Sequence, residues 1–111
     1  MSNKKLTEED WSVLREVASM LNTFVREGAF GYPDRLANAY SPRTAETVIR
    51  EALRDARSLL RQGTKIYIPT IEVIEKFLKL VEKDVNVCSK VVALALAFPP
   101  RKKSEKEGGE G

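Results

Sequence analysis

Residues 41–63 read SPRTAETVIREALRDARSLLRQG. Ser41 is a side-chain N-cap, and Pro42 takes the first helical position, where its missing N–H costs nothing. Ala45, Val48, Ile49, Ala52, Leu53, Ala56, Leu59 and Leu60 then recur at helical spacing, and Gly63 ends the run. With Arg50 at zero on a wheel of ~100° per residue, Arg43 and Arg61 fall near ~20°, Arg54 near ~40° and Arg57 near ~−20°. The apolar residues centre near ~220°, roughly opposite. Five arginines therefore share one outward stripe that runs about 27 Å along the helix.

That stripe carries the functional reading. Glu46 stands four residues before Arg50, and Glu51 three before Arg54, so both are expected to pair. Arg43, Arg57 and Arg61 have no acidic residue three or four positions ahead of them. Arg50–Arg54 and Arg57–Arg61 are like-charge i, i+4 pairs, each costing a few tenths of a kcal/mol. A helix that carries such pairs calls for an anionic partner, either a phosphate backbone or an acidic protein surface.

The segments around it follow the same logic. Thr7 and Asp10 form a capping box, with Leu6 and Trp11 as its hydrophobic staple. Trp11, Leu14, Ala18, Leu21 and Val25 make the first amphipathic stripe, widened by Val17 and Phe24, and Gly28 stops it. Ala29 to Tyr40 reads as a turn and a short helix. Lys65-Ile66-Tyr67-Ile68-Pro69 reads as an extended connector or a short strand, which alone makes no sheet. Thr70 caps a helix with Ile71, Ile74, Phe77, Leu78 and Val81 inward. Val87 to Ala97 is apolar nearly all round, apart from Ser89 and Lys90, and is expected to be buried. The expected fold is all-α. It is a compact bundle of four main helices plus one short helix, arranged around a buried apolar C-terminal helix, with residues 1–98 as one domain. Residues 99–111 read as a disordered charged tail.

Composition narrows the function. The chain has 111 residues, 42% of them apolar, which suits one core. Histidine is absent and Cys88 is the one cysteine, which excludes an internal disulfide and a Cys/His zinc site. No metal-binding carboxylate cluster, cofactor motif or glycine-rich phosphate loop is present, so the chain is read as a non-enzyme without cofactors. Cys88, on an apolar helix, reads as a small core residue. No apolar run approaches the ~20 residues of a membrane span, and the N-terminus has no signal-peptide core; a cytoplasmic protein is expected. Net charge is +3, and residues 26–65 hold eight basic against five acidic groups. Eight of nine arginines lie within residues 15–61, which favours the middle of the chain as a polyanion contact. Rich Lys, Arg and Glu with one Gln and one Cys is a thermophile's usage.

Aromatics offer a second element. Phe30, Tyr32 and Tyr40 lie in sequence around Arg35, and such interleaving can stack unpaired bases. Phe30 and Tyr40 are expected to pack the junction between helices, whereas Tyr32, in the Gly31-Tyr32-Pro33 turn, is expected to be more open. Asp34 is a local ion-pair candidate for Arg35. The candidate nucleic-acid-binding residues are therefore Arg43, Arg50, Arg54, Arg57 and Arg61, assisted by Arg35 and Tyr32. A helix-turn-helix regulator fits poorly, because its two helices need a turn of three or four residues.

The order Gly31-Tyr32-Pro33-Asp34-Arg35-Leu36-Ala37-Asn38-Ala39, then Arg50-Glu51-Ala52-Leu53-Arg54-Asp55, then the Ala-rich segment Val91 to Phe98, resembles the small subunit of archaeal type I-A CRISPR effector complexes (Cascade). The resemblance spans about Trp11 to Phe98. It implies a helical, non-catalytic subunit, present in several copies beside the backbone and large subunits. Such a subunit would support the R-loop by sequence-independent contacts with guide RNA and target DNA. Some members carry a small β insertion, of which Lys65 to Pro69 is at most a remnant. The alternative is a helical adaptor that binds an acidic partner surface through the same arginines.

Overall fold

The computed structural model describes residues 6–97. Its elements are α1 (Glu8–Arg26), α2 (Gly31–Ala37), α3 (Pro42–Arg61), α4 (Ile71–Lys83) and α5 (Val87–Ala97). About 76% of the described residues are helical, none is in a strand, and the fold is compact. The expected architecture of four longer helices and one short one is therefore present at this level.

Local chemistry sets the helix ends. Asp10 N–H donates to Thr7 Oγ1, and Thr7 N–H to the Asp10 carboxylate, each at 3.0 Å, closing the capping box. Ser41 and Thr70 accept from the backbone N–H of Thr44 and Val73, each at 3.2 Å. Gly28 and Gly63, with φ of +79° and +97°, end α1 and α3. Beyond each, the next N–H reaches back five residues, Ala29 to Phe24 and Thr64 to Leu59. A Cβ at either glycine would meet nothing within 4 Å, so backbone conformation alone requires glycine there.

α1 occupies the centre, packing against α5, α4 and α2, while α3 lies on α2 and α4. The buried face of α1 holds Val13, Leu14, Val17, Ala18, Met20, Leu21 and Phe24, so Val13 and Met20 join the stripe expected from spacing. α5 likewise packs on three helices, α1, α2 and α4. It buries Val87, Cys88, Val91, Val92 and Ala95, but Ala93 and Ala97 are exposed and Leu96 is 55% exposed. An apolar composition did not bury every face: the side of α5 turned away from α1, α2 and α4 is open. Asn22 fastens the two helices, donating to the Ala95 carbonyl at 2.9 Å in the last turn of α5, where helix carbonyls lack intrahelical partners. The Asn22 carbonyl accepts from Arg26 Nε at 3.0 Å, so Arg26 serves the fold. Among the described residues no buried side-chain N or O lacks a hydrogen-bond partner.

In the second half one expectation is met and one changes. Lys65 to Pro69 forms an extended connector without strand pairing, anchored by buried Pro69 and by a Tyr67 hydroxyl that donates to Glu16 of α1. Ile71 does not point inward; it is 69% exposed. On α4, Ile74, Phe77 and Val81 make the buried stripe, whereas Ile71 and Leu78 lie on its flank toward α3, where the two helices leave a groove open. Phe98, the end of the expected domain and the charged tail lie outside the described residues.

This packing separates two substitutions on one helix. Phe77→Ala, at a fully buried ring, is expected to lower unfolding free energy by about 3–5 kcal/mol. Ile71→Ala is expected to stay within about 0.5 kcal/mol of the parent. Urea unfolding followed by circular dichroism measures both.

Candidate nucleic-acid interface

The α3 backbone places Arg43, Arg50, Arg54, Arg57 and Arg61 on the surface, and all five are exposed. The opposite stripe, Ala45, Val48, Ile49, Ala52, Leu53 and Ala56, is buried. The ridge is thus outward because its reverse face is held by the bundle. No acidic residue occupies the first turn of α3, so carboxylates do not neutralise its positive end there.

Pairing along the ridge is sparse. Arg50 meets Glu46 at 2.7 Å, as expected. Arg54 does not pair with Glu51; its contact is Asp55, at 3.6 Å. Among the described residues Arg43, Arg57 and Arg61 make no ion pair. Both observed ridge pairs are solvated, and solvated pairs are easily exchanged for another anion.

Glu51 is taken by α2. Arg35 Nη1 lies 2.7 Å from its carboxylate, replacing the expected Asp34–Arg35 pair. The hydrogen bond from Arg35 holds the Glu51 carboxyl below its ordinary pKa, and the same bond raises that of Arg35. Arg35 and Arg43 nonetheless line one cleft of about 500 Å³ between α2 and α3, together with Asp34, Asn38, Thr44 and Thr47. Arg35 is therefore adjacent to the ridge, but it is already engaged.

The aromatic expectations invert. Tyr32 is half-buried: its ring meets Phe24 edge-to-face at 5.1 Å, its hydroxyl donates to Asp55, and the Arg35 guanidinium lies 5.8 Å from its centroid. Burial, then the Asp55 bond, raises its pKa. With one ring edge packed and the hydroxyl committed, Tyr32 braces α2 on α3 and is no free stacking platform. Tyr40 is instead 82% exposed and Phe30 49%. The signal for Tyr40 was available: it directly precedes the Ser41 cap, and the residue it would staple against is Ala45, a small, fully buried side chain.

Other chemistry is thin. Among the described residues no group of three or more His, Cys, Asp or Glu could hold a metal ion, and no helix is long and apolar enough to cross a membrane. Cys88 is 1% exposed, and desolvation pushes its thiol up from 9.0 to about 11, leaving little thiolate for nucleophilic work. No family model matches this chain, and no curated protein or solved structure matches it.

The buried thiol has a measurable consequence. Well below pH 9 it is protonated in both folded and unfolded chains. As pH rises from 9 to about 11, the unfolded chain loses that proton while the folded chain keeps it, so stability falls. The expected result is a decline in urea midpoint over this range that is shallower in Cys88→Ala.

Proposed function

We propose that this chain is a non-catalytic small subunit of a CRISPR RNA-guided DNA-targeting complex, supporting R-loop formation through sequence-independent contacts to the nucleic-acid backbone. The observation that carries the reading is the α3 ridge: five exposed arginines on one stripe, three of them without an ion pair among the described residues. Guanidinium groups fork onto phosphate oxygens, and a row of them along about 27 Å of helix meets a repeating anion better than a single one. Such contacts position a strand without reading bases. In an RNA-guided complex guide pairing supplies the sequence, so a sequence-blind surface suits the task.

The setting rests on the resemblance of residues 31–39, 50–55 and 91–98 to the archaeal type I-A small subunit. It brings the backbone and large subunits, guide RNA and target DNA as partners, several copies per complex, and a cytoplasmic location. Arg43, Arg50, Arg54, Arg57 and Arg61 are the contact residues. Arg35 contributes at the edge of the α2–α3 cleft. Tyr32 acts by holding α2 in place.

The test is fluorescence anisotropy with a labelled 15-nucleotide oligo(dT) across a salt series. Native chain is expected to bind with a log–log salt slope of about −3 to −4, which is five phosphate contacts at ~0.7 each. Arg50→Glu/Arg54→Glu/Arg57→Glu, folded by circular dichroism, is expected to lose that binding. A salt-independent signal, or a folded triple variant that binds like the parent, contradicts the reading.

A further inference from the structure

Beside the ridge, α3 and α4 enclose an open groove of about 310 Å³. Leu53 and Ile74 are buried in its lining, and Ile71 stands 69% exposed on the α4 side. Arg50 and Arg57 form the α3 rim, two helical turns or about 10.5 Å apart along the axis. Glu75 lies across from them and makes no ion pair among the described residues. The groove is thus apolar inside, cationic on one lip and acidic on the other.

We infer that this groove seats one unpaired nucleobase of a strand whose phosphates lie on the arginine ridge, making the surface selective for single-stranded over double-stranded nucleic acid. The inference rests on the ridge reading and adds to it a base-binding site and a strand class. Charge complementarity selects the occupant. The ridge extends beyond the groove on both sides, from Arg43 to Arg61, so whatever enters is attached to an anion that repeats along the helix. A nucleic-acid strand repeats in that way, whereas an acidic peptide would need a carboxylate at every turn. The volume is roughly twice the ~150 Å³ of an apolar cavity that takes one benzene ring, which suits a single base. Glu75 repels phosphate from its lip and can accept a hydrogen bond from a base N–H, such as the N3–H of thymine, so the strand keeps its backbone on the arginines. Bases in a duplex are paired and stacked, and cannot enter.

Electrostatics alone favours the opposite outcome, because duplex DNA carries one charge per ~1.7 Å against ~3.4 Å along each strand. A preference for single strands therefore reports the groove. The experiment measures binding of 15-nucleotide oligo(dT) and of a 15-base-pair duplex at one salt concentration, for the native chain, Ile71→Ala and Ile71→Trp. Ile71 is exposed, so both variants are expected to fold, and circular dichroism checks this. The native chain is expected to bind the single strand at least threefold tighter than the duplex. Ile71→Ala is expected to erase that preference with duplex binding unchanged, and Ile71→Trp to strengthen single-strand binding about five- to tenfold by base stacking. If the native chain binds the two alike or prefers the duplex, and neither variant changes this, the base seat is overturned while the ridge stands. If Ile71→Ala weakens both nucleic acids equally, the seat is likewise overturned. If the native chain binds neither, the ridge reading falls and the base seat with it.

Discussion

Like charges crowded on one helix repel, and α3 holds five arginines within a stripe about 60° wide. That helix persists because its opposite stripe is buried against the bundle. Ala45, Val48, Ile49, Ala52 and Ala56 are at most 1% exposed. The apolar stripe fixes the rotation of α3 about its own axis, and the rotation in turn fixes where the arginines face. α2 and α4 pack on α3 and hold that burial in place.

The neighbours of α3 share this task. α2 contributes the Tyr32–Asp55 and Arg35–Glu51 contacts, which draw two of the three α3 carboxylates toward one flank. Glu51 is thereby occupied away from the crest, Glu46 and Asp55 meet Arg50 and Arg54, and Arg57 and Arg61 at the C-terminal half remain without ion-pair partners among the described residues. On the other flank α4 closes incompletely, leaving the groove under Arg50 and Arg57. The central helix α1 sets the spacing of both neighbours, since α2 and α4 each pack on it.

Much of this was legible in the residues themselves. Caps and stops are local chemistry, so Thr7, Ser41, Thr70, Gly28 and Gly63 placed the helix boundaries correctly. The outward ridge followed from helical spacing alone, as did the Glu46–Arg50 pair and the burial of Cys88. Tertiary choices were not legible. Glu51 had two arginines within reach, and only the docking of α2 decided for Arg35 over Arg54. Tyr32 and Tyr40 exchanged their expected roles because burial depends on what faces a ring: Phe24 for the first, and no more than a small alanine at the staple position for the second. Ile71 matched the α4 stripe in spacing, yet lies on the flank where α3 does not close over it. The open face of α5, with Ala93, Leu96 and Ala97 exposed, was not legible either, since all-round apolar character does not specify how many neighbours cover a helix.

The central claim is that the α3 ridge is a phosphate track, and arginine side-chain N–H resonances observe it directly. A ¹⁵N-labelled chain titrated with oligo(dT) is expected to show the Nε signals of Arg43, Arg50, Arg54, Arg57 and Arg61 moving together. Arg26, whose Nε is bound to Asn22, is expected to stay still. Movement confined to residues off α3, or no movement of the five while the oligonucleotide binds, would contradict it.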